Sequence, residues 1–249
     1  MQIYPTVELQ DGRCVSLSRG DLENPAIWHV DPVETARGFA EKAGWVHITD
    51  FDAVARSETD NSTLIEQIIR TAPGSVQLGG GMGTMDRITR WIEAGAGRVV
   101  IGQTALVNPD LVKEAALAYP DQIVLALDVY QGKVMSRGWR DSTVFDPLDV
   151  LGWFETDALA AIVVTDIDAD MEDEVEASVS LITRVAEASR TPVIARGTVR
   201  TLDDISTLKY VPQVAGTVIG RALFNKTIDL QEAVALAAPE PEETVAPFV

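Results

Sequence analysis

Two carboxylates stand at the ends of apolar runs in this chain. Glu8 closes TVE and Asp128 closes LALD, and 120 positions separate them. On opposite sides of one cavity, such a pair can serve as general base and general acid, with environment setting which is which. A second set of residues suits an anion. GGGMG starts at Gly79 and contains Gly80 and Gly81, while IGQTA supplies Gly102 and Thr104. ARGTV supplies Arg196, Gly197 and Thr198, and IGRAL supplies Gly220 and Arg221. A strand that ends in glycine ahead of a short helix exposes several backbone N–H groups, which is a cradle for phosphate. Two such cradles on opposite sides imply a long ligand with a phosphate at each end.

These elements recur. HITDFDAV, from His47 to Val54, and VVTDIDAD, from Val163 to Asp170, both read Thr-Asp-apolar-Asp-Ala at a spacing of 116. VVIGQTAL at Val99 matches TVIGRALF at Thr217, which places Gly102 and Gly220 118 positions apart. Glu8 and Asp128 occupy matching places, as do GGGMG and ARGTV. Four pairs at nearly one offset predict two homologous halves of four strand–helix units each. Asp50, Asp52 and Asp166, within the repeated pentapeptide, are expected to cap helices or hold loops.

Something must carry these residues to one place. Eight short β-branched runs alternate with amphipathic segments, from QIYPTVEL to GTVIGRAL. The strands are almost continuously apolar, as in a parallel sheet covered on both faces. Eight such units in 249 residues predict a closed (β/α)8 barrel, with a doubly wound open sheet as the alternative. In the barrel, strand C-termini share one mouth, so Glu8, Asp50, Asp128, Asp166, Asp168 and Asp170 all point at or near it. The expected organisation is one domain over residues 1–238, with halves of about 1–122 and 123–238, and an acidic, Pro-rich mobile tail over 239–249.

Composition narrows the ligand. Lys and Arg number 20 against 38 Asp and Glu, a net charge of −18, which disfavours nucleic acid and anionic membranes. An anionic ligand then needs local positive potential from backbone amides. The single Cys14 forms no internal disulfide and fits a packed strand position. No run approaches a membrane span, so a cytoplasmic protein is expected. His29 and His47 suggest neither a metal site nor a triad, and no metal is expected.

DGRCVSLSRGD, DPVETARGFAEKAGWVHITDFDA, VQLGGGM, RVVIGQTALVNPDLVKEA, DQIVLALDVYQGKVMSRGW, VVTDID and VIGRALF occur in the order of a known family. The chain resembles the HisA/HisF family of histidine biosynthesis over nearly its whole length, and more closely the isomerase branch. The resemblance implies a duplicated (β/α)8 enzyme that needs no cofactor. Its implied reaction is an Amadori aldose–ketose isomerisation of a ribosylamine bearing two phosphates. It implies catalytic roles for Glu8, Asp128, Thr165 and Asp170, and stacking of Trp139 on an imidazole ring. It implies a small phosphorylated ribosyl substrate as partner, and the chain is expected to be a monomer or weak oligomer.

Several positions depart from the family pattern. Glu8 stands where the family has Asp, Gly83 where it has Arg, and Ala169, Met171 and Glu172 replace Arg, Gly and Thr. The longer Glu8 moves its carboxylate by about 1.5 Å, one carbon–carbon bond. Thr198 is expected to put a side chain where phosphate needs the backbone. Arg196 either pairs with that phosphate or, by strand parity, faces a helix. The alternative function is a diverged paralogue that acts on another phosphorylated sugar, or binds without turnover.

Overall fold

The computed structural model describes residues 1–18, 20–55, 61–167 and 175–239. Asp168, Asp170 and residues 240–249 of the tail lie outside them. The first half of the chain runs β1 (Gln2–Gln10), β2 (Arg13–Ser16), β3 (Ala26–Trp28), α1 (Pro32–Ala43), β4 (Trp45–Asp50) and α2 (Phe51–Ala55). It continues with α3 (Ser62–Thr71), β5 (Ser75–Gly79), α4 (Met85–Glu93), β6 (Arg98–Ile101), α5 (Gln103–Val107) and α6 (Pro109–Ala118). The second half runs β7 (Ile123–Tyr130), β8 (Lys133–Ser136), β9 (Asp141–Ser142), α7 (Pro147–Gly152), β10 (Ala161–Asp166) and α8 (Val175–Ala188). It ends with β11 (Val193–Arg196), α9 (Leu202–Lys209), β12 (Val214–Ile219), α10 (Arg221–Phe224) and α11 (Leu230–Ala237).

Eight of these strands, β1, β4, β5, β6, β7, β10, β11 and β12, pair in parallel, each with the next. β12 returns to β1 through Gln2↔Gly216 and Tyr4↔Val218, so the sheet is closed and the open-sheet alternative fails. They coincide with the eight strands expected from the sequence. The antiparallel extensions were not anticipated: β2 and β3 follow β1, and β8 and β9 follow β7. They occupy the same place in each half and rise beside the mouth. Their runs are too short and mixed to stand out against loop sequence.

Local chemistry places the helices. Asp31 caps α1 by accepting the Glu34 N–H, Pro32 starts the helix, and Gly44 ends it in the left-handed region at φ 74°. Thr201 and Asp204 form a reciprocal capping box at α9. No helix among the described residues is long and apolar enough to cross a membrane.

Strand alternation divides the side chains between two cores. Val7, Leu9, Val46, Ile48, Ile162 and Val164 are buried against the helices. Tyr4, Val100, Val124, Val163, Ile194 and Val218 fill the barrel itself. Near the N-terminal end of that interior, Arg98 donates to Tyr4 Oη at 3.1 Å and lies over the Trp45 ring at 4.9 Å.

The repeated Thr-Asp dipeptide has a backbone role. It forms the C-terminal ends of β4 and β10, the second barrel strand of each half. The next strand of each half then turns against that Asp. Gly80 has φ 111°, and a Cβ there would sit 2.4 Å from the Asp50 carbonyl oxygen. Gly197 has φ 84°, and a Cβ there would sit 2.7 Å from the Asp166 carbonyl oxygen. Positive φ and the close contact each demand glycine. Gly80→Ala and Gly197→Ala are each expected to cost at least about 2 kcal/mol of stability, combining strain with overlap. Urea unfolding measures this, and a loss under about 0.5 kcal/mol would contradict the close approach.

Candidate active site

The mouth at the strand C-termini contains two adjoining cavities of about 320 and 430 Å³. The first belongs mainly to the first half and is lined by Asp128, His47, Thr49, Gly80, Gly81, Gly102 and Thr104. The second is lined by Thr6, Thr165, Asp166, Gly197, Gly220 and Arg221. Glu8, Leu17, Trp139 and Arg196 line both and stand on the boundary. The mouth thus gathers the expected residues Glu8, Asp128 and Thr165 and the glycines of both turns. Asp170 falls outside the described residues.

Glu8 has a partner that its spacing in the chain did not reveal. Arg196 Nη2 donates to Glu8 Oε1 at 2.5 Å, across 188 residues. The side chains are 17% and 15% exposed, so the ion pair is largely shielded from solvent. Arg196 therefore faces the barrel interior, and the alternative of a helix-facing side chain is ruled out. Its guanidinium is engaged by a carboxylate, where the sequence suggested a phosphate.

Beneath this pair lies a polar layer that sequence reasoning undervalued. His47 is 1% exposed inside the barrel, opposite Thr6 in the β1–β4 register and Gln77 in the β4–β5 register. Gln77 Nε2 donates to His47 Nδ1 at 3.0 Å, so Nε2 holds the ring proton and donates to Thr49 Oγ1 at 3.2 Å. Burial, and then the Arg196 charge, push the His47 pKa well below 6.5, and the ring is neutral. The signal was present as strand parity: Thr6 shares a face with Glu8, and His47 shares one with Thr49. Thr6 Oγ1 and Thr165 Oγ1 are buried and have no hydrogen-bond partner among the described residues.

The glycine turns are near duplicates. Gly102 precedes α5 at φ −106°, ψ −93°, and Gly220 precedes α10 at φ −120°, ψ −90°. Thr104 Oγ1 donates to the Met82 carbonyl at 2.9 Å, tying the two first-half turns together. The expected obstruction by Thr198 does not arise. Its side chain is 1% exposed and accepts a hydrogen bond from Ser178 Oγ on α8 at 3.0 Å, away from the mouth. Arg221 Nη2 donates to the Leu17 carbonyl at 3.1 Å, which ties the loop after β2 to the second-half turn. Arg200 also lines the second cavity, so that half carries the positive charge that an acidic chain needs around an anion.

Trp139 sits in the turn between β8 and β9 at φ 68°, following Arg137 and Gly138, which are also left-handed. Its ring edge packs over Gly20, where a Cβ would lie 3.1 Å from Cε3. The loops that follow β1 and β7, on opposite sides of the barrel, therefore meet above the Glu8–Arg196 pair.

Other carboxylates are structural. Asp50 accepts hydrogen bonds from Ala53 N and from Asn61 Nδ2 at 2.7 Å, and Asp52 accepts from Asp11 N and Asn61 Nδ2. Both hold the chain after β4, as expected. Cys14 is buried, and burial followed by the Asp31 charge pushes its thiol up to about 12, which removes it as a nucleophile.

The fold and this mouth define a (β/α)8-barrel enzyme. The chain belongs to the histidine biosynthesis protein family, whose profile matches residues 2–229. It is 54% identical to a protein of Ruegeria sp. (strain TM1040), over 97% of this chain and 98% of that one. That relative is named 1-(5-phosphoribosyl)-5-((5-phosphoribosylamino)methylideneamino)imidazole-4-carboxamide isomerase 1. A Ruegeria pomeroyi relative, isomerase 2 of the same name, is 55% identical over the full length of both chains. A Paracoccus denitrificans isomerase whose name has no number is 37% identical over 94% of this chain and 98% of its own.

His47 makes a pH signature. Its folded-state pKa lies below the unfolded value, so below about pH 6.5 the unfolded chain binds a proton that the folded chain refuses. Stability therefore falls with pH by up to about 1.4 kcal/mol per unit, until the folded pKa is reached. Asp50, raised chiefly by burial, acts in the opposite sense in its own range, so the difference between two proteins isolates the histidine. Wild type is expected to lose stability relative to His47→Gln as pH drops from 6.5 to 5 in urea titrations. Parallel pH profiles would show that the ring is not held neutral.

Proposed function

We propose that this barrel catalyses the isomerase step of histidine biosynthesis, converting the bis-phosphorylated ribosylaminomethylideneamino imidazole carboxamide from aldose to ketose form. The observation that carries this reading is the placement of Glu8 at the boundary of a two-part mouth, with a glycine-built turn in each part. A ligand with a phosphate at each end would span both cavities and bring its central aminosugar over that carboxylate. The names of the full-length relatives support it.

Chemically, an acid first protonates the ribose ring oxygen as the C1′ nitrogen drives ring opening to a Schiff base. A base then removes the C2′ proton to give an enolamine. Protonation at C1′ and loss of the C2′ hydroxyl proton complete the ketose. We assign the base to Glu8 and the acid to Asp128 or Asp170. Thr165 would hold a ribose hydroxyl, in keeping with its buried Oγ1, which has no hydrogen-bond partner among the described residues. Trp139, positioned over the boundary, would stack on the imidazole. The amides after Gly80, Gly81, Gly102, Gly197, Thr198 and Gly220 would receive the phosphates, helped by Thr104 in the first half and Arg221 in the second.

Purified protein is expected to turn over the ribotide substrate in a spectrophotometric assay, and Asp128→Asn to lower kcat by about 10²- to 10⁴-fold. Binding without turnover by the wild type would remove the reading. The Glu8–Arg196 pair favours a second reading, a paralogue specialised for another phosphorylated sugar. Complementation of a histidine auxotroph separates the two, since growth requires the first.

A further inference from the structure

We propose that Arg196 is a positioning residue for the isomerisation, which aims the Glu8 carboxylate at the substrate and is not itself a phosphate ligand. This rests on the isomerase reading above. Glu8 and Arg196 emerge from β1 and β11, with β12 between them. β12 leads into Gly220, which presents no side chain to the mouth, so the guanidinium can reach across to the carboxylate. Arg196 itself is set by the register of its strand, opposite Thr165 on one side and Val218 on the other. Its origin is therefore a rigid part of the barrel.

The carboxylate it holds is otherwise free to move. Glu8 has one more rotatable bond than an aspartate and several rotamers that leave the substrate position. The ion pair selects one. Oε1 is bound by Nη2, while Oε2 makes no hydrogen bond among the described residues. Oε2 is thus the oxygen available to a proton on the ligand. The pair lies on the boundary between the cavities, where the centre of a spanning ligand would rest. A base displaced by roughly 1 Å can lose on the order of 10²-fold in rate. That is the scale on which an unrestrained Glu8 would wander. The phosphates would lie at the ends of such a ligand, away from a guanidinium turned toward Glu8.

A double-mutant cycle tests the assignment, using Arg196→Ser, Glu8→Gln and the double variant with the ribotide substrate, and thermal unfolding to verify that each is folded. Arg196→Ser is expected to lower kcat about 10²-fold while KM changes less than about threefold, because aim is lost and phosphate binding is kept. The double variant is expected to match Glu8→Gln within about threefold, since Arg196 acts only through that carboxylate. Arg196→Lys keeps the charge and should recover most of kcat; if it is as impaired as Arg196→Ser and still folded, a fixed fork geometry replaces charge, and the positioning role stands. Losses that multiply in the double variant, or a rise in KM with kcat held, would overturn the proposal and make Arg196 a direct ligand. Wild-type protein without turnover would overturn the isomerase reading and this one together.

Discussion

Closure of the sheet sets which way every barrel side chain points. Once β12 pairs with β1 and β7 with β10, each strand sends alternate residues inward, and there is no edge at which the pattern can slip. Leu9 and Val7 must then pack on helices, while Tyr4, Thr6 and Glu8 enter the barrel. The same rule turns His47 and Thr49 inward on β4 and Arg196 inward on β11. The polar residues of the mouth are therefore where they are because the apolar ones have a better place to go.

The barrel interior changes character along its axis. At one end, Tyr4, Trp45 and Arg98 form a closed aromatic and cationic plug. The middle is apolar on the β7 and β10 side, with Val124 and Val163, and polar on the β1, β4 and β5 side, with Thr6, His47 and Gln77. The other end opens as the mouth. A cationic imidazolium in this layer would repel Arg196 and compete with it for the Glu8 carboxylate, and burial followed by the Arg196 charge keeps that ring neutral. Floor and mouth thus share one electrostatic arrangement, with Arg196 the charge common to both.

The two halves are alike in scaffold and unlike in chemistry. Each has a Thr-Asp strand end, a glycine pressed on that Asp, a glycine ahead of a short helix and an antiparallel extension after its first strand. Those likenesses are demands of the backbone. The differences are side chains. Asp50 is consumed by Asn61 and Ala53, whereas Asp166 lines the second cavity. The first extension brings Gly20 and the second brings Trp139, and one covers the other. A scaffold of twofold likeness thus carries an asymmetric mouth, in which Arg200 and Arg221 line only the second cavity.

Sequence alone determined the scaffold: eight strands, their helices, the twofold repeat and the mouth position of Glu8 and Asp128, while Thr165 was pointed to by the family resemblance. Those features are local, because apolar period, caps and glycine turns act within a few residues. The repeated Thr-Asp-apolar-Asp-Ala was legible as duplication, but its meaning as a seat for Gly80 and Gly197 was not, since the contact joins separate strands. Only the tertiary structure decided that Arg196 meets Glu8, that Thr198 turns away to Ser178, and that His47 is interior and neutral. Each of these depends on register around a closed barrel, where 188 residues of chain collapse to a single hydrogen bond. Periodicity says which residues share a face, and closure says which faces meet.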